Sequence, residues 1–320
     1  MAPLNPIYPM KKILPALFLI FLTLPIHGQE KTLAEKLGYS KTDKLLIIHA
    51  DDIGLAHSEN VATLASMTEG MVNSTSIMMP CAWSTEVGEL IQNFPHLDVG
   101  VHITLTNEWF NYKWRPVASA EKVPGLISES GFMHFDCATV SQNATPEEVE
   151  TEMRAQIEAA LKIGIKPTHL DSHMGCVFYG RPEYVASYLK LGQEYGIPAM
   201  ITPEIVESII KANPSLFTEF DVDNLPIITQ IASASPQEYD EKGMEGYYTS
   251  LLNNLQPGIT ALLIHLAFDD AEMQALTLRH PYWNSPWRQA DYDFFTSEKA
   301  KNLIEENNIK LVTWREIGAL

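Results

Sequence analysis

Apolar and polar positions in this chain fall into short blocks whose period switches repeatedly. Leu45-Leu46-Ile47-Ile48-His49-Ala50 runs into Asp51-Asp52-Ile53-Gly54, the pattern of a buried strand ending in two carboxylates and a glycine. Val61 to Met71 takes a helical spacing, with Ser58 as the expected N-cap and Gly70 near its end. Ser74 to Met79 predicts a second strand, and Thr85 to Phe94 a helix closed by Pro95. Val99 to Leu105 alternates cleanly. Valine, isoleucine and leucine share one face, while Gly100, His102 and Thr104 share the other. On an inner barrel strand, His102 would point into the lumen.

The same switching continues to the end. Thr145-Pro146-Glu147-Glu148 opens a helix with a threonine cap, a proline in the first turn and acids at the positive dipole end, and Gly164 stops it. Thr168 to His173 predicts a strand entering a polar end, and Glu183 to Tyr195 a helix closed by Gly196. Ile197 to Ile201 is expected as a short strand, Pro203 to Ala212 as a helix, and Ile227-Ile228 as a strand. Pro236 to Leu255 (helix), Thr260 to Phe268 (strand, carrying His265), Ser297 to Asn307 (helix) and Lys310 to Trp314 (strand) complete the pattern. Asn107 to about Ala144 has no period and holds Trp109, Phe110, Tyr112 and Trp114. A loop this long is usually a functional lid, whose aromatics either stack on a sugar ring or pack onto the barrel.

Sustained alternation of strand and helix implies parallel βαβ units. Seven or eight mostly parallel strands suit an α/β fold of the (β/α) barrel type, complete or distorted. No repeat or linker divides the chain, so residues 29–320 are expected to form a single domain.

Charge and leader narrow the setting. With 22 basic and 40 acidic residues, the net charge is −18. That argues against nucleic acid or an anionic membrane surface as partner. Lys11-Lys12, the apolar run Ile13 to Leu24 and the following Pro25 to Gln29 have the order of a secretory signal peptide over residues 1–28. A periplasmic or secreted protein is expected, without a stable membrane span after cleavage. Cys81, Cys137 and Cys176 are widely spaced. They allow at most one bridge and read as isolated buried thiols.

In a parallel barrel, side chains at the C-terminal strand ends form the active site. Asp52, His102 and His173 stand at the ends of three separate predicted strands. One carboxylate and two imidazoles leave positions on a divalent ion open for water and substrate. Imidazoles permit zinc; carboxylate and water ligation suits magnesium or manganese. Asp51 is placed to act as general base, and His265, ending another strand, to donate a proton to the leaving group. Asp171 is expected to orient a ligand imidazole. Taken singly, each signal has a plainer explanation, a helix cap or a packed histidine. Joint placement at strand ends favours the ion.

Four runs together resemble a known family: Ala50-Asp51-Asp52-Ile53-Gly54, Asn73-Ser74-Thr75-Ser76-Ile77-Met78, Val99 to Thr106, and Thr168-His169-Leu170-Asp171-Ser172-His173. In this order they resemble the YdjC-like (ChbG/HpnK) carbohydrate deacetylases, over roughly Lys44 to Trp314. The resemblance implies a distorted (β/α) barrel related to the polysaccharide deacetylases, and metal-dependent removal of an N-acetyl group from a sugar or oligosaccharide. It implies Asp51 as base, Asp52, His102 and His173 as metal ligands, and is compatible with a homodimer. The C-terminal third departs from the pattern. A glutamate four residues before a His-Pro-Gly is replaced by Ala261 before His265-Leu266-Ala267, and an arginine expected near Ile197 is missing. Two alternatives remain open: a metal-dependent hydrolase of another amide or ester, or a periplasmic sugar-binding protein without turnover. A retaining glycosidase ranks below both, because it gives the histidines no role.

Overall fold

The long apolar strand is the axis of the molecule. In a computed structural model, which describes residues 31–320, β1 spans Lys44–Ile53 and is buried from Leu45 onward. The expected signal segment, residues 1–28, lies outside the described residues. β1 is followed by β2 (Ser74–Ile77), β3 (Val99–Ile103), β4 (Leu170–Ser172), β5 (Gln230–Ser233), β6 (Gly258–Ile264) and β7 (Ile309–Leu311). The sheet order is β4-β3-β2-β1-β6-β5, with β7 also paired to β1. Every ladder is parallel. β6 takes one edge of β1; β7 and β2 share the other, at its two ends.

Between β4 and β5 the ring is carried by single parallel bridges, Leu170 to Ala199 and Ile201 to Ile227. The expected strands Ile197–Ile201 and Ile227-Ile228 are therefore corrected to bridges. Pro198, Pro203 and Pro226 crowd these stretches, and proline cannot donate to a ladder. The result is a distorted (β/α) barrel, as the alternation predicts.

Period-2 geometry sorts the core. Leu45 and Ile47 point into the lumen with Ile259, Ala261, Met200 and Trp314. Leu46, Ile48 and Ala50 face outward onto Trp287, Phe294 and Phe295. Burying such side chains contributes roughly 1.5–3 kcal/mol each. Lumen-facing positions turn polar toward the C-terminal strand ends, which is where the site lies.

The helices follow their caps. Thr145 accepts from Glu148 N at the start of Pro146–Lys162, and Gly196 closes Pro182–Tyr195 in the left-handed conformation. Four expectations need correction. Ser58 is not a cap: the helix runs His57–Glu69, and the Glu272 carboxylate accepts from His57 N and Ser58 N instead. Pro203 to Ala212 is not one regular helix; a short turn, Pro203–Ile205, leads into a wider turn, Val206–Ile210. The lid contains a helix, Cys137–Asn143, capped by Asp136. Nor are the cysteines isolated thiols, since Cys137 and Cys176 form a disulfide and Cys81 alone is free and buried. Spacing along the chain carried no trace of a pair that only the folded lid brings together.

Helix Ser285–Phe295 was not legible either. Its approach, His280-Pro281-Tyr282-Trp283-Asn284-Ser285-Pro286, reads as loop punctuation. Asn284 in fact caps it by accepting from Trp287 N. No helix among the described residues is long and apolar enough to cross a membrane.

Candidate metal centre

β1 has to present two adjacent aspartates to one cavity, which a regular strand cannot do. Asp51 shares the lumen face with Leu45, Ile47 and His49. Asp52 would point away, but its φ of 70° takes the backbone into the left-handed region. The β1–β2 register shifts at the same place, between Ala50 and Ile53. The turn costs about 1 kcal/mol or more for a non-glycine residue. It brings the Asp52 carboxylate round beside Asp51, and Gly54, at φ 97°, completes the bend against Ile77 and Ser84.

Asp52, His102 and His173 converge, all three buried. Asp52 Oδ1 lies 3.4 Å from His102 Nε2 and 3.2 Å from His173 Nδ1. The two imidazole nitrogens are 3.3 Å apart. An ion about 2.0–2.1 Å from each ligand atom would space them roughly 3.0–3.4 Å apart, depending on coordination geometry. The triangle therefore fits a divalent cation. Asp52 Oδ1 is moreover buried with no hydrogen-bond donor.

Each of the three has an outer partner. Asp171 Oδ1 lies 3.0 Å from His102 Nδ1, which also meets Ser76 Oγ at 3.1 Å. Glu108 accepts from His173 Nε2 through both oxygens, at 3.0 and 3.1 Å. Arg288 donates to Asp52 Oδ2 at 2.9 Å, leaving Oδ1 to face the imidazoles, and its other terminal nitrogen pairs with Glu59. Such partners fix ring orientation and tautomer. Asp171, singled out in the sequence, lies beside the His102 imidazole; Glu108 and Arg288 were not singled out there.

Below this layer, His49 links two carboxylates. Its Nε2 lies 2.9 Å from Asp171 Oδ2 and 3.2 Å from Asp51 Oδ1, and its Nδ1 2.9 Å from Ser74 Oγ. His169 packs against it edge-on and stacks on Trp314. Only glycine fits at position 100, because a Cβ there would sit 2.4 Å from the His169 ring. His265 closes the cavity from the end of β6, its Nε2 3.9 Å from Asp51 Oδ2 and from Asp52 Oδ2.

The electrostatics follow from burial set against carboxylates. Burial alone would raise Asp52, but His102, His173 and Arg288 hold it well below the usual carboxylate range. Burial opposes a charged His173, yet Glu108 and Asp52 bring its pKa up to about 9. His49 likewise reaches about 9 against burial, through Asp171 and Asp51. For His265 burial wins: with help from Arg288 it outweighs the pull of Asp52 and Asp51 and pushes the imidazole down to about 4, leaving it neutral at ordinary pH. The cavity thus carries an excess of negative field, which suits a cation.

Fold and site together define the class: a (β/α)-barrel enzyme with a carboxylate–imidazole centre at the C-terminal ends of its strands. The YdjC-like protein family model matches residues 45–306, and the chain belongs to that family. It is 33% identical over 289 residues to a carbohydrate deacetylase of Thermus thermophilus, covering 89% of this chain and 97% of that protein. It is 28% identical over 271 residues to a carbohydrate deacetylase of Thermoanaerobacter pseudethanolicus, covering 85% and 98%. A shorter match, 33% over 132 residues, is to a chitooligosaccharide deacetylase of Yersinia enterocolitica, covering 41% of this chain and 49% of that one. A crystal structure from Enterococcus faecalis, described as a candidate cellobiose-phosphate cleavage protein, superposes with a TM-score of 0.70 at 24% identity, covering 86% and 99%. That likeness supports the barrel.

Proposed function

We propose that this chain is a metal-dependent carbohydrate deacetylase, hydrolysing the N-acetyl group of an amino sugar or oligosaccharide to acetate and a free amine. The observation that carries the reading is the triangle of Asp52 Oδ1, His102 Nε2 and His173 Nδ1 beside Asp51, in a chain whose relatives are carbohydrate deacetylases. Asp52, His102 and His173 would hold the ion; two imidazoles favour zinc, and the surrounding carboxylates suit magnesium. A divalent ion held there supplies electrophilic polarisation of the amide carbonyl and acidifies water.

The chain's own groups do the rest. Asp51 takes a proton from the attacking water, held in place by His49 at 3.2 Å from its Oδ1. Oxygen attacks the acetyl carbon and the carbon–nitrogen bond breaks, so the nitrogen must gain a proton to leave as an amine. His265, neutral before the reaction, receives that proton from the Asp51 side across 3.9 Å and passes it to the nitrogen. Glu108 and Asp171 keep the imidazoles aimed at the ion. The Cys137–Cys176 bridge supports an oxidising compartment, periplasmic or extracellular, consistent with the leader.

The test is acetate release from N-acetylated glucosamine oligomers, with and without a chelator, alongside Asp51→Asn. Chelation should abolish release and added zinc or magnesium restore it. Asp51→Asn should lower kcat about 10²–10⁴-fold while metal still binds by calorimetry. Full turnover in chelator, or in Asp51→Asn, would overturn the mechanism.

A further inference from the structure

The lid passes from the buried cluster to solvent in three residues. Glu108 holds His173. Trp109 is buried, with the Arg288 guanidinium 5.6 Å over its ring. Phe110 is 44% exposed, and Phe135, 50% exposed, stands beside it with ring centroids 5.8 Å apart. Two cations flank the pair, Lys113 5.7 Å over Phe135 and Arg279 5.7 Å over Phe110. His280 bridges the rings, 5.6 Å from Phe110 and 5.0 Å from Trp109.

Exposed apolar rings next to a catalytic cavity mark a binding surface more often than adjacent rings placed by chance. Here the chemistry is specific. Phenyl faces accept the C–H face of a pyranose, and the neighbouring N–H donors suit its hydroxyls. We propose that Phe110 and Phe135 form the subsite for the sugar unit joined to the one that loses its acetyl group, so that the preferred substrate is at least a disaccharide. This rests on the deacetylase reading above.

A second observation fixes the platform relative to the site. Phe135 lies two positions before Cys137, and Cys176 three positions after His173. The Cys137–Cys176 bridge therefore joins the segment carrying the outer ring to the segment carrying a cluster imidazole. Between His173 and Cys176 the chain turns through Met174 and Gly175, both at positive φ, 52° and 66°. The segment bearing the ring is thus tied to the segment bearing His173 by a covalent link and not by lid packing alone.

The experiment uses the full chain, metal-loaded and oxidised, as wild type, Phe110→Ala, Phe135→Ala and Phe135→Tyr. Acetate release is followed from N-acetylglucosamine and from its N,N′-diacetylated disaccharide. For the disaccharide, kcat/KM should fall about ten- to a hundredfold in each alanine variant, almost wholly through KM. Phe135→Tyr should retain most of it, and the loss on the monosaccharide should be much smaller than the loss on the disaccharide. Equal losses on both substrates, or no loss on the disaccharide, would overturn the subsite. Calorimetry of the disaccharide on the same proteins separates the two readings. Ring-dependent binding without acetate release keeps the subsite and defeats the deacetylase; acetate release without ring dependence does the reverse.

Discussion

The floor of the cavity and its rim are built by different rules. On the floor, His49, Asp51, His102 and Asp171 sit on strands, and a period of two decides which way each side chain points. At the rim, Glu108, Arg288, Phe110 and Phe135 sit on a loop and on a helix far along the chain, and only the folded lid decides where they meet. The floor is an interlocked set of buried charges. The rim supplies the partners that let those charges stay buried and the surface a substrate meets first. The chain needs both, but they should fail differently.

Arg288 tests the dependence of floor on rim most severely. It is 2% exposed and faces Asp52 and Glu59. Removing one partner of such a group leaves uncompensated buried charge, at a cost of about 3–5 kcal/mol. Arg288→Met should therefore lower the urea midpoint sharply without added metal, and adding Glu59→Gln should recover part of the loss. A loss below about 1 kcal/mol would mean that the floor stands without this partner.

The disulfide comes next. Its loop spans a sequence separation of 39, and removing it should cost about 2–4 kcal/mol, read as a lower Tm for Cys137→Ser with Cys176→Ser. An unchanged Tm would place the lid's stability in packing alone. Glu108→Gln should act more gently. Losing the carboxylate behind His173 should weaken metal affinity about 10–100-fold with the fold intact, measured by competition against a chelating dye. Unchanged affinity would show that the rim does not orient that imidazole.

The smallest effect concerns Glu152, which pins the lid by accepting from Val117 N and Ala118 N, both at 2.9 Å. Burial raises its pKa from 4.5 to about 7. Below pH 4.5 both folded and unfolded chains carry the proton. Between 4.5 and 7 the folded chain keeps it while the unfolded chain loses it, so this group's contribution to stability falls as pH rises through that window. Glu152→Gln should flatten the decline of Tm with pH over that range. Parallel curves for variant and parent would show that Glu152 does not titrate there.

How much could be read in advance follows the same division. Val99 to Leu105 showed an alternation that only a strand explains, and His102 points inward as that pattern requires. The strand β1 and the caps at Thr145 and Gly196 were legible because local pattern fixes each of them. Arg288 was not. Its helix opens among prolines and asparagine, and a lone arginine there looks like a solvated surface charge. Glu108 was hidden for a similar reason, lying in a stretch with no period. The Cys137–Cys176 pair depends on where the lid folds, and spacing alone says nothing of that.

The left-handed backbone at Asp52 narrows what evolution or an engineer can do with this centre. Asparagine would accept the torsion but lacks the charge, and glutamate has the charge but no comparable liking for that torsion. Attempts to retune ion preference by exchanging ligands should therefore meet least backbone resistance at the ordinary strand position 102, whereas position 52 admits almost no successor.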